Sequence, residues 1–233
     1  MALRIVLVLV IFLNISYDLL GQDFEGEVRY RFQFADNTNK NDKVVEIMKI
    51  AQPEYVILYV KNDALKKISY LDSAYEFPSN SFTIWKNDKI YQINDKNKTV
   101  LASDRVSDLS VDRLSLSSQT ERKIISGYEC DLYTRLDAPF SYSYWISKDV
   151  NASITAGGFL FAGIGLVLEM KAESADFNLS FTAHSVIPRK VPNKIFNFPF
   201  DYELQKVKMP ESSLFQIIQK TKPEDLNKEY KPN

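Results

Sequence analysis

The chain has 233 residues, a formal net charge of −1 and a single cysteine. A charge so close to zero argues against a role in nucleic-acid binding or on a polybasic membrane surface, and one cysteine excludes an internal disulfide framework. Seven glycines beside 13 tyrosines and 15 phenylalanines are typical of a well-packed β protein.

The N-terminus has the pattern of a secretory signal peptide. Arg4 supplies a positive n-region, residues 5–13 form an apolar h-region, and Gly21-Gln22 ends a cleavage zone. The apolar run of about nine residues is shorter than the roughly 20 that a membrane-spanning helix needs. We therefore predict a signal peptide at 1–22, an exported mature chain and no transmembrane span after its removal. An uncleaved N-terminal anchor is the alternative.

The first mature segment alternates strictly between apolar and polar residues. One face carries Phe24, Gly26, Val28, Tyr30, Phe32 and Phe34, as a half-buried strand requires. Turn sequences such as Asn62-Asp63 and Asn87-Asp88 separate the segments that follow. The alternation predicts further strands at 44–51, 54–60, 65–71, 82–86, 89–93 and 99–102.

The middle of the chain combines an irregular stretch with a predicted hairpin. Residues 103–121 fit neither the period of a strand nor that of a helix, which predicts a loop with at most a short helix. Residues 123–136 are predicted as one strand, and 140–146 as its partner beyond a bend at Asp137-Ala138-Pro139. One face of the first strand would carry Ile124, Ser126, Tyr128, Cys130, Leu132, Thr134 and Leu136. Cys130 is therefore predicted to be a buried, unreactive thiol.

The last third of the sequence predicts two more strands, followed by an irregular segment. The apolar stretch 156–165 is broken by four glycines, which favours a buried, bending segment over a membrane span. Strands from 166 and over 177–187 follow. Beyond them, four side chains are predicted to pack on the core surface: Ile195, Phe196, Phe198 and Phe200. Residues 212–221 are predicted to form a short helix before a frayed end.

Together these elements predict one β domain at 23–209 and a C-terminal helix with a frayed tail at 210–233. About ten strands with one or two short helices indicate a mainly β fold, either a single curved antiparallel sheet or an open half-barrel.

No local motif points to catalysis. His184 is the only histidine and lies mid-strand without a serine or cysteine nucleophile motif, so it is interpreted as a surface residue. One histidine and one cysteine do not support a zinc site, and the glycines at 157–165 lack the spacing of a phosphate-binding loop. We predict no catalytic residue, no metal ligand and no cofactor, and thus a protein that is not an enzyme.

Three segments in order carry a family resemblance. Residues 123–133 (KIISGYECDLY), 144–149 (YWISKD) and 161–169 (FAGIGLVLE) resemble the GLPGLI-type exported proteins of Bacteroidetes. One departure is a missing proline between Ile164 and Gly165. The resemblance implies a periplasmic or outer-membrane-associated protein with a lipoprotein-carrier (LolA-like) fold, in which a curved sheet wraps a helical plug and commonly binds acyl chains. No residue inherits a catalytic role from it.

The leading functional hypothesis is a non-enzymatic protein that binds an apolar or acyl-chain ligand, a lipid or a lipoprotein, in the concave face of the sheet. A tyrosine there offers an apolar ring and a hydroxyl that needs a partner, so we expect the hydroxyls near the polar end of an amphipathic ligand. The alternatives are a structural or interaction module of the cell envelope with a fully packed core, and a hydrolase with dispersed carboxylates. The predicted ligand-lining residues are Val28, Tyr30, Phe32, Tyr128, Leu132 and Tyr144.

Overall fold

The computed structural model describes residues 24–37, 53–62, 64–71, 74, 78–87, 89–104, 116–137, 140–150, 159–161, 163–175 and 177–206. Three predicted elements lie outside these ranges: the signal peptide at 1–22, the strand at 44–51, and the C-terminal helix and tail at 210–233.

Thirteen strands in the described residues form one sheet. In chain order they are β1 (Glu25–Asp36), β2 (Tyr55–Lys61), β3 (Ala64–Tyr70), β4 (Pro78–Lys86), β5 (Lys89–Asn94), β6 (Thr99–Asp104), β7 (Ser117–Ile125), β8 (Tyr128–Asp137), β9 (Phe140–Ser147), β10 (Leu160–Phe161), β11 (Gly165–Glu173), β12 (Phe177–Pro188) and β13 (Glu203–Lys206). The order across the sheet is β13-β6-β5-β4-β3-β2-β1-β12-β11-β9-β8-β7, with the short β10 beside β11.

The sheet is open and almost entirely antiparallel. Strands β13 and β7 form its two edges, and β13 with β6 is its parallel pair. The predicted mainly β, open sheet is confirmed, but thirteen strands replace the expected ten or so. The one helical element in the described residues is a single 3-10 turn at Asn193–Phe196.

A hairpin turn at Ser126-Gly127 accounts for one of the three strands that were not predicted, which are β7, β10 and β13. Both residues have positive φ, 51° and 86°, as the type I′ turn of a two-residue hairpin requires. The predicted single strand at 123–136 is therefore wrong, because the turn divides it into β7 and β8, with Ile125 paired to Tyr128. Part of the predicted loop at 103–121 belongs to β7 as a result, and Ile124 is 76% exposed rather than on the buried face.

The main core lies on one face of the sheet, which we call the inner face. The alternation predicted for β1 is confirmed, because Val28 and Tyr30 point into this core and are fully buried. Neighbouring strands add Val56, Leu58, Leu65, Ile146, Leu166, Leu168 and Phe181. The sheet curls around this core: Ser126 Oγ, in the β7–β8 turn, donates a 2.8 Å hydrogen bond to the carbonyl of Ala183 in β12, although β9 and β11 lie between.

A smaller core covers the opposite, outer face of β3 to β6. Here Ala64, Ile84, Ile93 and Val100 pack against residues that follow β12, which include Val191 and Phe196. Ile195 and Phe198 also pack there, as predicted.

The same prediction is wrong for Phe200, which is fully exposed. It lies in a tight turn, closed by a hydrogen bond from the Tyr202 amide to the Pro199 carbonyl, and this turn points its ring to solvent.

Carboxylates of β1 hold the segment after β12 in place. Glu27 is 2% exposed and forms ion pairs with Arg29, at 2.6 Å, and with Arg189. Glu25 accepts a 2.5 Å hydrogen bond from the amide of Val191. Because both carboxylates lie on the outer face of β1, they fix the start of the segment that covers the outer core.

Candidate functional site

Aromatic rings on the inner face form two neighbouring groups of ring contacts, one around Phe159 and one that includes Phe177 and Tyr142, which together we call the aromatic band. The rings come from β1, β9, β12 and the segment 159–161, and neighbouring centroids lie 4.7–6.3 Å apart. Phe159 is central, because it packs on Tyr30 at 5.5 Å and on Phe181 at 4.7 Å. The aromatic band consists of Tyr30, Phe32, Phe34, Phe140, Tyr142, Tyr144, Phe159, Phe161, Phe177 and Phe181.

On β1 and β9 the burial of the rings decreases in one direction, whereas Phe177 and Phe181 of β12 are both buried. On β1, Tyr30 is fully buried, whereas Phe32 and Phe34 are half-buried. On β9, Tyr144 is buried, whereas Tyr142 and Phe140 are half-buried. Phe34 and Phe140 both contact the ring of Phe177, at 5.4 and 5.5 Å, so the two half-buried stretches lie at the same end. We call this the open end of the inner face.

Tyr30 lies in the core, away from the open end. Its hydroxyl donates a 2.8 Å hydrogen bond to the carbonyl of Val167. Burial, with a smaller contribution from Cys130, raises the pKa of Tyr30 well above its ordinary value. The expectation that this hydroxyl lies near the polar end of a ligand is therefore not supported, because the hydroxyl already donates to a backbone carbonyl of the core.

The structure brings most of the other predicted lining residues together. Val28 and Tyr144 are buried in the inner core, and Phe32 and Tyr128 are half-buried against it. Leu132 is also buried. That these six residues line a ligand stays a prediction.

Lys67 is a site residue that sequence reasoning missed. In β3 it pairs with Leu58 on one side and Thr83 on the other, which places it on the inner face. Its Nζ lies 5.8 Å from the ring centroid of Phe159, and burial lowers the pKa of Lys67. The adjacent Lys66 lies on the outer face, with its Nζ 3.9 Å from the ring centroid of Phe82. Because each face of β3 carries one lysine, alternation alone could not say which one points inward.

An ionic network formed by β7, β8 and the residue that follows β9 bears on the hydrolase alternative. Asp131 pairs with Lys148 at 2.5 Å and with Arg122 at 3.1 Å, and Arg122 also pairs with Glu129 at 2.9 Å. The hydrogen bond from Lys148 lowers the pKa of Asp131, so this carboxyl stays ionised and is poorly suited to act as a general acid. In the described part of the chain, no group of three His, Cys, Asp or Glu side chains could hold a metal ion.

His184 and Cys130 lie where the sequence predicts. His184 is exposed on β12. Partial desolvation of its ring lowers the pKa of His184, and the charges of Arg29 and Arg31 lower it further. Cys130 is fully buried, and burial raises the pKa of its thiol to about 11. Among the described residues, no helix is both long and apolar enough to cross a membrane.

Comparisons with known proteins reveal likeness in structure only. No family model and no curated protein matches the sequence, so the GLPGLI-type resemblance stays a prediction. A structure of PNGF-II aligns with 84% of this chain at a TM-score of 0.50 and 14% identity. This chain covers 33% of that one, about a third of its length. At this identity the likeness shows the fold alone.

Two further structures align less closely. An uncharacterised conserved protein from Thermus thermophilus has a TM-score of 0.46 and 8% identity, over 82% of this chain and 96% of that one. The Mycobacterium tuberculosis lipoprotein LppX has a TM-score of 0.32 and 12% identity, over 72% of this chain and 90% of that one.

Proposed function

We propose that this protein is an exported, non-enzymatic binding protein of the cell envelope, which holds an apolar or acyl-chain ligand at the open end of the inner face. The observation that carries the proposal is the burial gradient of the aromatic band. On both β1 and β9, rings on one face change from buried to half-exposed towards the same end. Export is supported by the signal-peptide pattern of residues 1–22.

Half-exposed rings in contact with one another form a surface that an apolar chain can cover. Each large aromatic side chain buries about 150–250 Å² when fully enclosed, and covering apolar area is favourable by about 25 cal/mol per Å². Phe32, Phe34 and Tyr142 therefore retain area that a ligand could remove from water. An acyl chain suits this surface because its contacts need no fixed polar partners along the band.

A structural module of the envelope is the second candidate. It is favoured by the buried end of the band, where the protein's own side chains fill the inner face and the hydroxyl of Tyr30 already has a partner. The two candidates differ at the open end alone, which is therefore the place to test.

The experiment measures binding of the neutral fluorescent probe N-phenyl-1-naphthylamine to the delipidated protein. Binding by the wild type and an affinity at least about fivefold lower in Tyr142→Ala would support the proposal. The matched control is Tyr91→Ala, since Tyr91 is a half-buried tyrosine that contacts Phe198 at 5.3 Å on the outer face. A wild type that binds no probe, and carries no lipid when purified from the envelope, would favour the structural module.

A further inference from the structure

We propose that Lys67 is the anion-binding residue of the inner face, so that the ligand is a single-chain amphiphile with an anionic head group, such as a long-chain carboxylate. This inference rests on the proposed binding function and specifies the chemistry of its ligand.

The position of Lys67 places a cation beside the aromatic band. Its Nζ is 5.8 Å from the ring centroid of Phe159, and Phe159 in turn contacts Phe181 at 4.7 Å and Phe32 at 6.3 Å. The charge thus lies one ring away from the half-buried stretch of β1. An ammonium group adjoining a run of aromatic rings matches an amphiphile whose head is anionic and whose tail is apolar.

Lys67 also lacks a protein anion in the part of the chain that the structure describes. No carboxylate there forms an ion pair or hydrogen bond with it, and burial alone accounts for its lowered pKa. Two other half-buried lysines of the sheet do have such partners: Lys123 pairs with Glu169 at 2.7 Å, and Lys61 with Glu25 at 3.1 Å. A partly desolvated cation without a counter-ion is unfavourable, and a bound anion would relieve that penalty.

Polar side chains extend the site across the sheet from Lys67. Thr83 in β4 lies directly opposite Lys67, and Gln92 in β5 lies opposite Thr83. Directly paired residues of antiparallel strands share a face, so an ammonium, a hydroxyl and an amide form one row on the inner face. On the other side of Lys67 the row continues with Leu58 and Val28, which are buried and apolar. The polar half of the row would therefore face the head group, and the tail would extend past Phe159 towards the half-buried Phe32.

The test compares three ligands that share a twelve-carbon chain and differ in charge: dodecanoate, dodecan-1-ol and dodecylammonium. Each displaces bound N-phenyl-1-naphthylamine from the delipidated protein, below its micelle concentration. We expect dodecanoate to bind about tenfold more tightly than dodecan-1-ol, because a charge-assisted hydrogen bond adds to the same apolar contacts. Dodecylammonium should bind most weakly of the three, because like charges repel.

Variants of Lys67 and Lys66 test which lysine causes the preference for an anionic head group. Lys67→Met should remove the preference for dodecanoate over dodecan-1-ol, Lys67→Arg should keep it, and the control Lys66→Met, one residue away on the outer face, should leave it unchanged. Equal affinities for the acid and the alcohol in the wild type, or a preference that survives in Lys67→Met, would overturn the inference while leaving the binding function intact. Failure of all three ligands and the probe to bind would overturn the binding function itself, and the assignment of Lys67 with it.

Discussion

The hydroxyl of Tyr30 donates a 2.8 Å hydrogen bond to the carbonyl of Val167 and so joins β1 to β11 across the intervening β12. Both strands are irregular at this point: the β1–β12 register shifts between Arg29 and Tyr30, and the β9–β11 register shifts between Val167 and Glu169. Bulges increase local twist and bend a strand. The bond therefore lies beside two irregularities at which the strands bend, and it helps to close the buried end of the inner face.

The first prediction follows from this bond. Tyr30→Phe should lower the free energy of unfolding by about 1–2 kcal/mol, because a buried carbonyl loses its donor while the ring stays in place. Urea denaturation measures the change. Tyr202→Phe is the control, since its hydroxyl bonds Asp95 at an exposed site, at 3.0 Å, and should change stability by less than about 0.5 kcal/mol. Equal effects of the two substitutions would show that the bond to Val167 contributes nothing.

A second prediction concerns the glycine at the start of β11. Gly165 has a φ of +141°, and a Cβ at this position would lie 2.1 Å from the carbonyl oxygen of Ser147. Gly165→Ala should therefore destabilise the protein by at least about 2–4 kcal/mol, through a backbone clash added to strain. Gly127→Ala is the comparison, because φ is +86° there but nothing lies within 4 Å. Gly127→Ala should lower the free energy of unfolding by only about 1–2 kcal/mol. A larger loss in Gly127→Ala than in Gly165→Ala would show that the close approach of Ser147 to Gly165 does not determine the cost.

The sequence predicted those parts of the fold in which local alternation and turn chemistry agree. The faces of β1 are confirmed, as is the hairpin of β4 and β5, in which Lys86 pairs with Lys89. The turn at Ser126-Gly127 was missed because Ile124 and Ile125 are both apolar, so the alternation of β8 could be continued through Ile124. The pairing of Ile125 with Tyr128 instead buries Ile125 and exposes Ile124. Strand β13 was missed because its four residues are all exposed, so they have no apolar alternation to detect.

The candidate site could be predicted only in part, because it depends on contacts between residues far apart in sequence. Alternation placed Phe32 and Tyr144 on inward faces, but it could not distinguish the buried end of the band from the open end. At the buried end, the β7–β8 turn contacts β12 through Ser126 and Ala183, which are 57 residues apart. The role of Tyr30 changed for the same reason, since its partner Val167 is 137 residues away.

A third prediction concerns the buried carboxylate of β1. Glu27 is 3% exposed at its side chain and faces two arginines, Arg29 and Arg189, that are 37% and 47% exposed. Glu27→Gln should destabilise the protein by less than the roughly 3–5 kcal/mol typical of fully buried pairs, because water partly solvates both arginines. It should also raise amide hydrogen exchange in residues 189–191. The control is the exposed ion pair between Arg122 and Glu129, where Glu129→Gln should lower the free energy of unfolding by at most about 1 kcal/mol. Unchanged amide exchange at 189–191 in Glu27→Gln would refute the anchoring role of Glu27.

The fourth prediction is slow labelling of Cys130. Burial raises the pKa of this thiol to about 11, from an ordinary value of 9.0. At pH 8 the reactive thiolate is then about a hundredfold rarer than in the unfolded chain, and burial adds a barrier to the reagent. Iodoacetamide should therefore label the native protein more than a hundredfold more slowly than the protein in urea. A control with Ser118→Cys in a Cys130→Ala background should label rapidly, because position 118 is exposed on β7.

The same pKa fixes how stability should depend on pH. Because the folded state holds the thiol proton more tightly than the unfolded state, the contribution of Cys130 is fully present below pH 9 and is lost as pH rises from 9 to 11. Cys130→Ala should cost about 1–2 kcal/mol near pH 7 through the cavity it leaves, and this difference from the wild type should shrink towards pH 11. Tyr30 also has a raised pKa, to which Cys130 contributes, so both proteins are compared in a Tyr30→Phe background, where the difference reports the thiol. A difference that stays constant from pH 7 to 11 would show that Cys130 titrates in the folded protein as it does in the unfolded chain.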